Sequence, residues 1–157
     1  MNIDIEIQNL LSRLMELRGV KQPVKYHPEV DALQHSLQVF FLALKKTKDK
    51  DLIIASLFHD IGKSISLKNH SAIGVGILSS YEIITSKTIW LVENHYRIAL
   101  YLDGAMKNKS KISKLVNNEY FPLLLQLREF DLAGRECEKV IDFDRELITT
   151  ILVNLFT

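Results

Sequence analysis

The stretch DLIIASLFHDIGKS, residues 51–64, is apolar for about two helical turns and then becomes abruptly ionisable. Leu52, Ile53, Ile54, Ala55, Leu57 and Phe58 leave almost no polar side, which predicts a helix, starting at Asp49 or Lys50, at the centre of a bundle. Such a helix delivers His59 and Asp60 into the interior. Gly62 is expected to break it, and Lys63 to Asn69 reads as a polar loop. Successive helical side chains diverge by about 100°, so two neighbours face one object only where the helix stops. A carboxylate buried without a counter-charge costs several kcal/mol, whereas a divalent cation shared with neutral imidazoles removes that cost. The simpler alternative is that Asp60 accepts a hydrogen bond from His59 or pairs with Lys63.

Working outward, the apolar residues recur at three and four, which argues for helices throughout. Residues 3 to 17 place Ile3, Ile7, Leu10, Leu11 and Leu14 on one stripe that ends before Gly19. Pro23 and Pro28 bracket an extended connection. Asp31 can then cap a helix to about Lys46 with an inward face of Ala32, His35, Val39 and Leu42. A short helix follows from about His70 to Ser79, in which Gly74 and Gly76 would permit a close neighbour. Ser86 is a suitable cap for a helix carrying Ile89, Trp90, Val92 and His95. The lysine-rich residues 107–114, KNKSKISK, read as a solvated loop. Pro122 fits the first turn of a helix through Leu124, Leu127 and Phe130 to about Ala133, with Gly134 as its stop. Asp142 or Asp144 can start a last helix burying Leu147, Ile148, Ile151, Leu152 and Leu155. No alternating strand pattern is long enough for a sheet, so the fold class is all-α.

Bulk properties narrow the function classes. With 157 residues and 47% hydrophobic content the chain suits one well-filled domain. A formal charge of +1 provides no field of the kind that marks a broad nucleic-acid surface or a membrane binder. Cys137 is the only cysteine, which excludes a disulfide framework within the chain. Asp4 and Glu6 stand where a signal peptide would be positive, and no apolar run approaches a membrane span, so a cytoplasmic protein is expected.

Further ionisable residues fall on apolar helical faces. His35 points where Val39 and Leu42 point. Asp131 follows Leu124, Leu127 and Phe130, where an unpaired aspartate is costly. Each has a plain alternative: a hydrogen-bonded core histidine for His35, a helix-start residue for His70, a partly exposed neighbour of Tyr96 for His95, and a salt bridge to Arg128 or Arg135 for Asp131. Taken together, His35, His59, Asp60 and Asp131 make a ligand set suited to Mn, Fe, Co, Ni or Zn, with Mg also admissible.

The order His35, then His59-Asp60, then Asp131 resembles the HD-domain superfamily of metal-dependent phosphohydrolases, whose signature is H, HD, D on a helical bundle. The resemblance covers about residues 26–135 and is carried by YHPEVDALQHSLQVF, LFHDIGK and LREFD. It implies a single HD-type domain over 1–157 in which His35, His59, Asp60 and Asp131 hold one metal. It further implies that His70 and His95 complete a second site, with Asp60 bridging. HPEVDALQHSL and NHSAIGVGIL are similar to the HD domain of CCA-adding tRNA nucleotidyltransferases. WLVENHY and LREFD look more like the di-iron HD oxygenases of phosphonates and, remotely, myo-inositol oxygenase. Those phosphonate oxygenases place a substrate-contacting His at the position of Lys63.

The expectation is a phosphomonoesterase or phosphodiesterase acting on a small phosphorylated metabolite or nucleotide with one or two divalent ions. In it Asp60 and Asp131 serve catalysis, Lys63 both binds phosphate and stabilises growing charge, and Arg128 or Arg135 either clamps phosphate or pairs with an acid. The lysines of 107–114 form either a pocket mouth or a solvated loop. Glu29, Tyr26 and His27 are weaker candidates for supporting the site. A di-iron oxygenase and a non-catalytic metal-containing binding module are the alternatives.

Overall fold

The computed structural model describes residues 2–26 and 31–157; His27, Pro28 and Glu29 lie outside them. Among the described residues there are eight α-helices, one 3-10 turn and no strand. They are α1 Ile3–Met15, α2 Ala32–Lys46, α3 Lys50–Phe58, the 3-10 turn Ile61–Ser64, α4 His70–Leu78, α5 Ser86–Leu102, α6 Lys109–Val116, α7 Phe121–Ala133 and α8 Arg145–Phe156. Among the described residues no helix is long and apolar enough to cross a membrane.

Short polar residues set most of the starts. Asp31, Asp49 and Asp144 accept hydrogen bonds from the amides of Gln34, Leu52 and Leu147, each cap contributing about 1 kcal/mol. The cap of α5 is Thr85, whose side chain accepts from the Thr88 amide, and Ser86 becomes the first helical residue instead. Asp31 does a second job, since its other oxygen accepts from the Gly19 amide at 2.8 Å and ties the end of the α1 segment to α2.

Helix α3 is central, packing against α2, α5, α7 and α8, and everything from Leu52 to Phe58 is buried. Around it, α2 buries more than one stripe: Leu33, Ser36, Leu37, Gln38 and Phe40 are inside together with Ala32, His35 and Val39, while Leu42 is only partly covered. The one-sided reading of α2 failed because α7 and the chain after it cover the helix from a second direction. Helices α1 and α8 pair with one another at the periphery, and α8 buries Ile148 and Leu152 but leaves Leu147 exposed.

Two expectations about special residues change. Gly62 lies inside the 3-10 turn, and its role is proximity: a Cβ there would sit 2.0 Å from the His70 carbonyl oxygen and 2.8 Å from the Gly74 amide. Gly76, by contrast, faces open space, and a Cβ on Gly74 would make only ordinary contacts at 3.5 Å. The close approach therefore belongs to Gly62. Residues 109–116 are helical instead of a loop, with the apolar Leu115 buried, Ile112 half-buried and the lysines exposed.

Candidate metal centre

Four histidines and two aspartates from separate elements meet beside the end of α3. At that end His59 keeps helical dihedrals, while Asp60 leaves them at φ −105°, ψ 11° as the 3-10 turn begins. This change of winding lets two adjacent side chains converge. His35 comes from the first turn and a half of α2, His70 from the start of α4, His95 from the middle of α5 and Asp131 from the last turn of α7.

The backbone sets every ring. His59 Nδ1 donates to the Ser56 carbonyl at 2.9 Å, His70 Nδ1 to Leu67 at 3.0 Å and His95 Nδ1 to Val92 at 2.6 Å. His35 Nδ1 donates to the Gly134 carbonyl at 2.9 Å. A carbonyl can only accept, so each Nδ1 carries the proton and each neutral ring presents an Nε2 lone pair. All four Nε2 atoms lie about the Asp60 carboxylate. His35 Nε2 is 2.7 Å from Asp131 Oδ1 and 3.8 Å from Asp60 Oδ2. His59 Nε2 is 3.3 Å from Asp60 Oδ2 and 3.6 Å from Asp131 Oδ1. On the far side of the same carboxylate, His95 and His70 Nε2 lie 3.1 and 3.4 Å from Asp60 Oδ1, and 3.1 Å from each other.

Lone pairs facing carboxylate oxygens, and facing one another at such distances, repel. Protons or metal ions between them convert the repulsion into attraction. His59 Nε2 makes no aligned hydrogen bond although it is completely buried, so it is free to ligate a cation. The potential ligand atoms divide into two sets, His35, His59 and Asp131, and Asp60, His70 and His95, each within 4.8 Å of one another. Asp60 offers one oxygen to each set. Imidazole and carboxylate ligands in this number fit one or two divalent ions.

Without metal, protons carry the load. Burial alone would lower the pKa of His59, but Asp60 and Asp131 overcome it and raise it from 6.5 to about 10. Burial would raise Asp60 and Asp131; His59 and Lys63 hold the former well below the carboxylate range, and the His35 hydrogen bond and the nearby His59 imidazole do so for the latter. His95 is lowered by burial, which outweighs Asp60.

A cavity of about 470 Å³ opens over the cluster, with Asp60, His70, His95 and Asp131 in its lining. Lys63, Arg128 and Arg135 line it too. Lys63 Nζ donates to Asp60 Oδ2 at 2.9 Å and to the Gln22 side-chain oxygen. The choice between Arg128 and Arg135 dissolves, because both approach Asp131, at 3.4 and 3.7 Å. Tyr26 and Tyr96 are at the rim. Lys111 and Lys114 are not: they line a separate depression of about 250 Å³ between α5 and α6, which leaves these two lysines the solvated alternative, on a helix instead of a loop.

Sequence reasoning did not find the residues that hold the last ligand region in place. Gln34 exchanges hydrogen bonds with both backbone atoms of Ile141, at 2.7 and 2.8 Å. Gln38 donates to the carbonyls of Glu136 and Lys139 and accepts from the Glu136 amide, each at 2.9 Å. These two amides act as a short stand-in for a strand, seating the segment whose first carbonyl, on Gly134, orients His35. A buried glutamine on an otherwise apolar helical stripe was the available signal.

Comparison with known proteins agrees with this geometry. The model of the HD domain matches residues 32–117, more than half of the chain. The chain belongs to the HD domain family. The matched part contains His35, His59, Asp60, His70 and His95, whereas Asp131 lies beyond it and joins the cluster through the fold. The Multifunctional CCA protein of Methylococcus capsulatus (strain ATCC 33009 / NCIMB 11132 / Bath) is 33% identical over 81 residues, which cover 47% of this chain and 19% of that protein. HD domains bind divalent metals, and the His/Asp clusters here could hold such ions.

Proposed function

We propose that this HD domain is a metal-dependent phosphohydrolase, a phosphomonoesterase or phosphodiesterase, acting on a small phosphorylated metabolite or nucleotide. The observation that carries the reading is the pairing of the six converging ligands with three cationic side chains on one cavity. His35, His59, Asp60 and Asp131 would hold one divalent ion, and Asp60, His70 and His95 a second. Such ions supply Lewis-acid polarisation of a phosphate oxygen and a lowered pKa for water.

The chain's own groups account for the rest. Arg128 and Arg135 have forked donors that match phosphate oxygens, and the Arg135 Nε is buried with no hydrogen-bond partner. Lys63 lies against Asp60 and reaches the same cavity, so it can follow the negative charge that grows on a phosphoryl group. Asp131 lines the same cavity, with Oδ2 facing Arg128 at 3.4 Å, and can orient an attacking water by accepting a hydrogen bond from it. A lysine at position 63 supports hydrolysis over the oxygenase alternative, because its charge suits a phosphoryl oxygen.

The test is to measure the metal content of the purified protein and phosphate release from p-nitrophenyl phosphate and bis(p-nitrophenyl) phosphate with Mn, Co or Ni. The reading expects release that Asp60→Ala abolishes together with bound metal, and a raised KM in Arg128→Met. Bound iron with oxygen consumption and no phosphate release would establish the oxygenase instead. Metal that raises the melting temperature without turnover of either ester would establish a binding module.

A further inference from the structure

The cavity over the metal ligands does not end at its rim. It shares His70 and Tyr96 with a second depression of about 550 Å³ between the start of α4 and α5. That one shares Glu93 and Arg97 with the third, of about 250 Å³, between α5 and α6. The lining runs along α5 from Asp103 to Trp90, a rise of about 20 Å. It is too long for a single phosphate group.

Each depression combines an aromatic ring with cations. Tyr26 accompanies Lys63, Arg128 and Arg135 in the first; Tyr96 accompanies Lys68 and Arg97 in the second; Trp90 accompanies Arg97, Lys111 and Lys114 in the third. Tyr96 is 53% exposed although it occupies a helix position beside the buried His95. In the second and third depressions Glu93 is the only acid against Lys68, Arg97, Lys111 and Lys114.

Cations that track a backbone, interleaved with rings that accept any base face, are how proteins grip single strands without reading sequence. A duplex keeps its bases stacked on one another and leaves the rings unused. A bare chain of phosphates would satisfy the lysines and also leave the rings unused. We propose that this strip binds a short single-stranded oligonucleotide. Its terminal phosphate enters the cavity at Asp60 and Asp131, and the following nucleotides cross α5 toward α6 on Tyr96, Arg97, Trp90, Lys111 and Lys114. Which end reacts rests on the phosphohydrolase reading; binding to the strip does not.

The chain contains one tryptophan, Trp90, so its fluorescence reports directly on the far end of the strip. The experiment titrates the full chain, as purified, with a 5′-phosphorylated hexathymidylate whose phosphorothioate links resist cleavage. Saturable quenching of Trp90 is expected. Lys111→Gln/Lys114→Gln should weaken binding about tenfold at low salt and reduce the salt slope by about 1.4, two cations at about 0.7 each. The same variant should melt with the wild type, since both side chains are exposed. No quenching, quenching unchanged in the variant, or equal binding of a polyphosphate of matched charge would overturn the proposal. Because quenching is read without turnover, failure of the hydrolase assay and failure of this one remain separate results.

Discussion

Gly62→Ala should damage the metal centre through packing alone. The new Cβ would lie 2.0 Å from the His70 carbonyl oxygen and 2.8 Å from the Gly74 amide, while ordinary contact begins near 3.4 Å. Both obstacles are backbone, which cannot rotate away as a side chain end can. Clearing the larger overlap takes a retreat of α4 of roughly 1.4 Å, the difference between 3.4 and 2.0 Å. Metal–ligand distances tolerate only about 0.2 Å. His70 moves with its own carbonyl, so an ion held by Asp60 Oδ1, His70 and His95 loses a ligand, while His35, His59 and Asp131 are not displaced directly. Overpacking typically costs 1–3 kcal/mol, and a backbone clash belongs at about 3 kcal/mol. In a chain of this length that lowers the melting temperature by about 6–12 °C. Thermal unfolding followed by circular dichroism, with elemental analysis of wild type and variant, measures both effects. A variant that melts with the wild type and carries the same metal would refute the argument.

Three other outcomes are expected. Gly76→Ala, in open space on α4, should stabilise the protein by up to about 1 kcal/mol by helix propensity, read as a higher denaturation midpoint. In the metal-free protein His59 is held at about 10 against 6.5, so its contribution is complete below pH 6.5 and is lost as pH rises toward 10. Asp60 and Asp131 are held low, so theirs is present above the ordinary carboxylate range and lost on acidification. Melting temperature of the chelator-treated protein should therefore fall between pH 6.5 and 10; a flat profile there would contradict the cluster's charge balance. Arg145→Ala removes donors to the Gln8 side chain and carbonyl and to Ser12, which join α8 to α1, and should cost about 1–3 kcal/mol in urea unfolding.

Features encoded within a turn or two of sequence were readable from it. The caps Asp31, Asp49 and Asp144, the stop after Ala133 and the burial of 52–58 depend on neighbours three or four residues away. The six metal-ligand candidates were readable for a different reason: an ionisable residue amid leucines requires a partner, and several such residues require each other. Contacts between distant segments were not readable. Nothing near Gln34 or Gln38 indicates that their amides meet residues 136–141, and nothing near Lys63 points to Gln22. Gly62 looked like a helix breaker because the backbone it clears, at His70 and Gly74, belongs to a helix not yet placed. Helix α6 was hidden by its lysines, whose solvated side outweighed the apolar pair Ile112 and Leu115.

Three of the four imidazoles are steered by a carbonyl three residues back: Ser56 for His59, Leu67 for His70, Val92 for His95. A main-chain oxygen is supplied by any amino acid. Mutational drift at positions 56, 67 and 92 can therefore proceed without retuning the rings, provided the local winding survives. His35 alone borrows its guide from remote chain, so the set of His35, His59 and Asp131 closes only after residue 134 has arrived. During refolding, binding of a divalent ion at that set should accordingly lag behind the gain of helical signal.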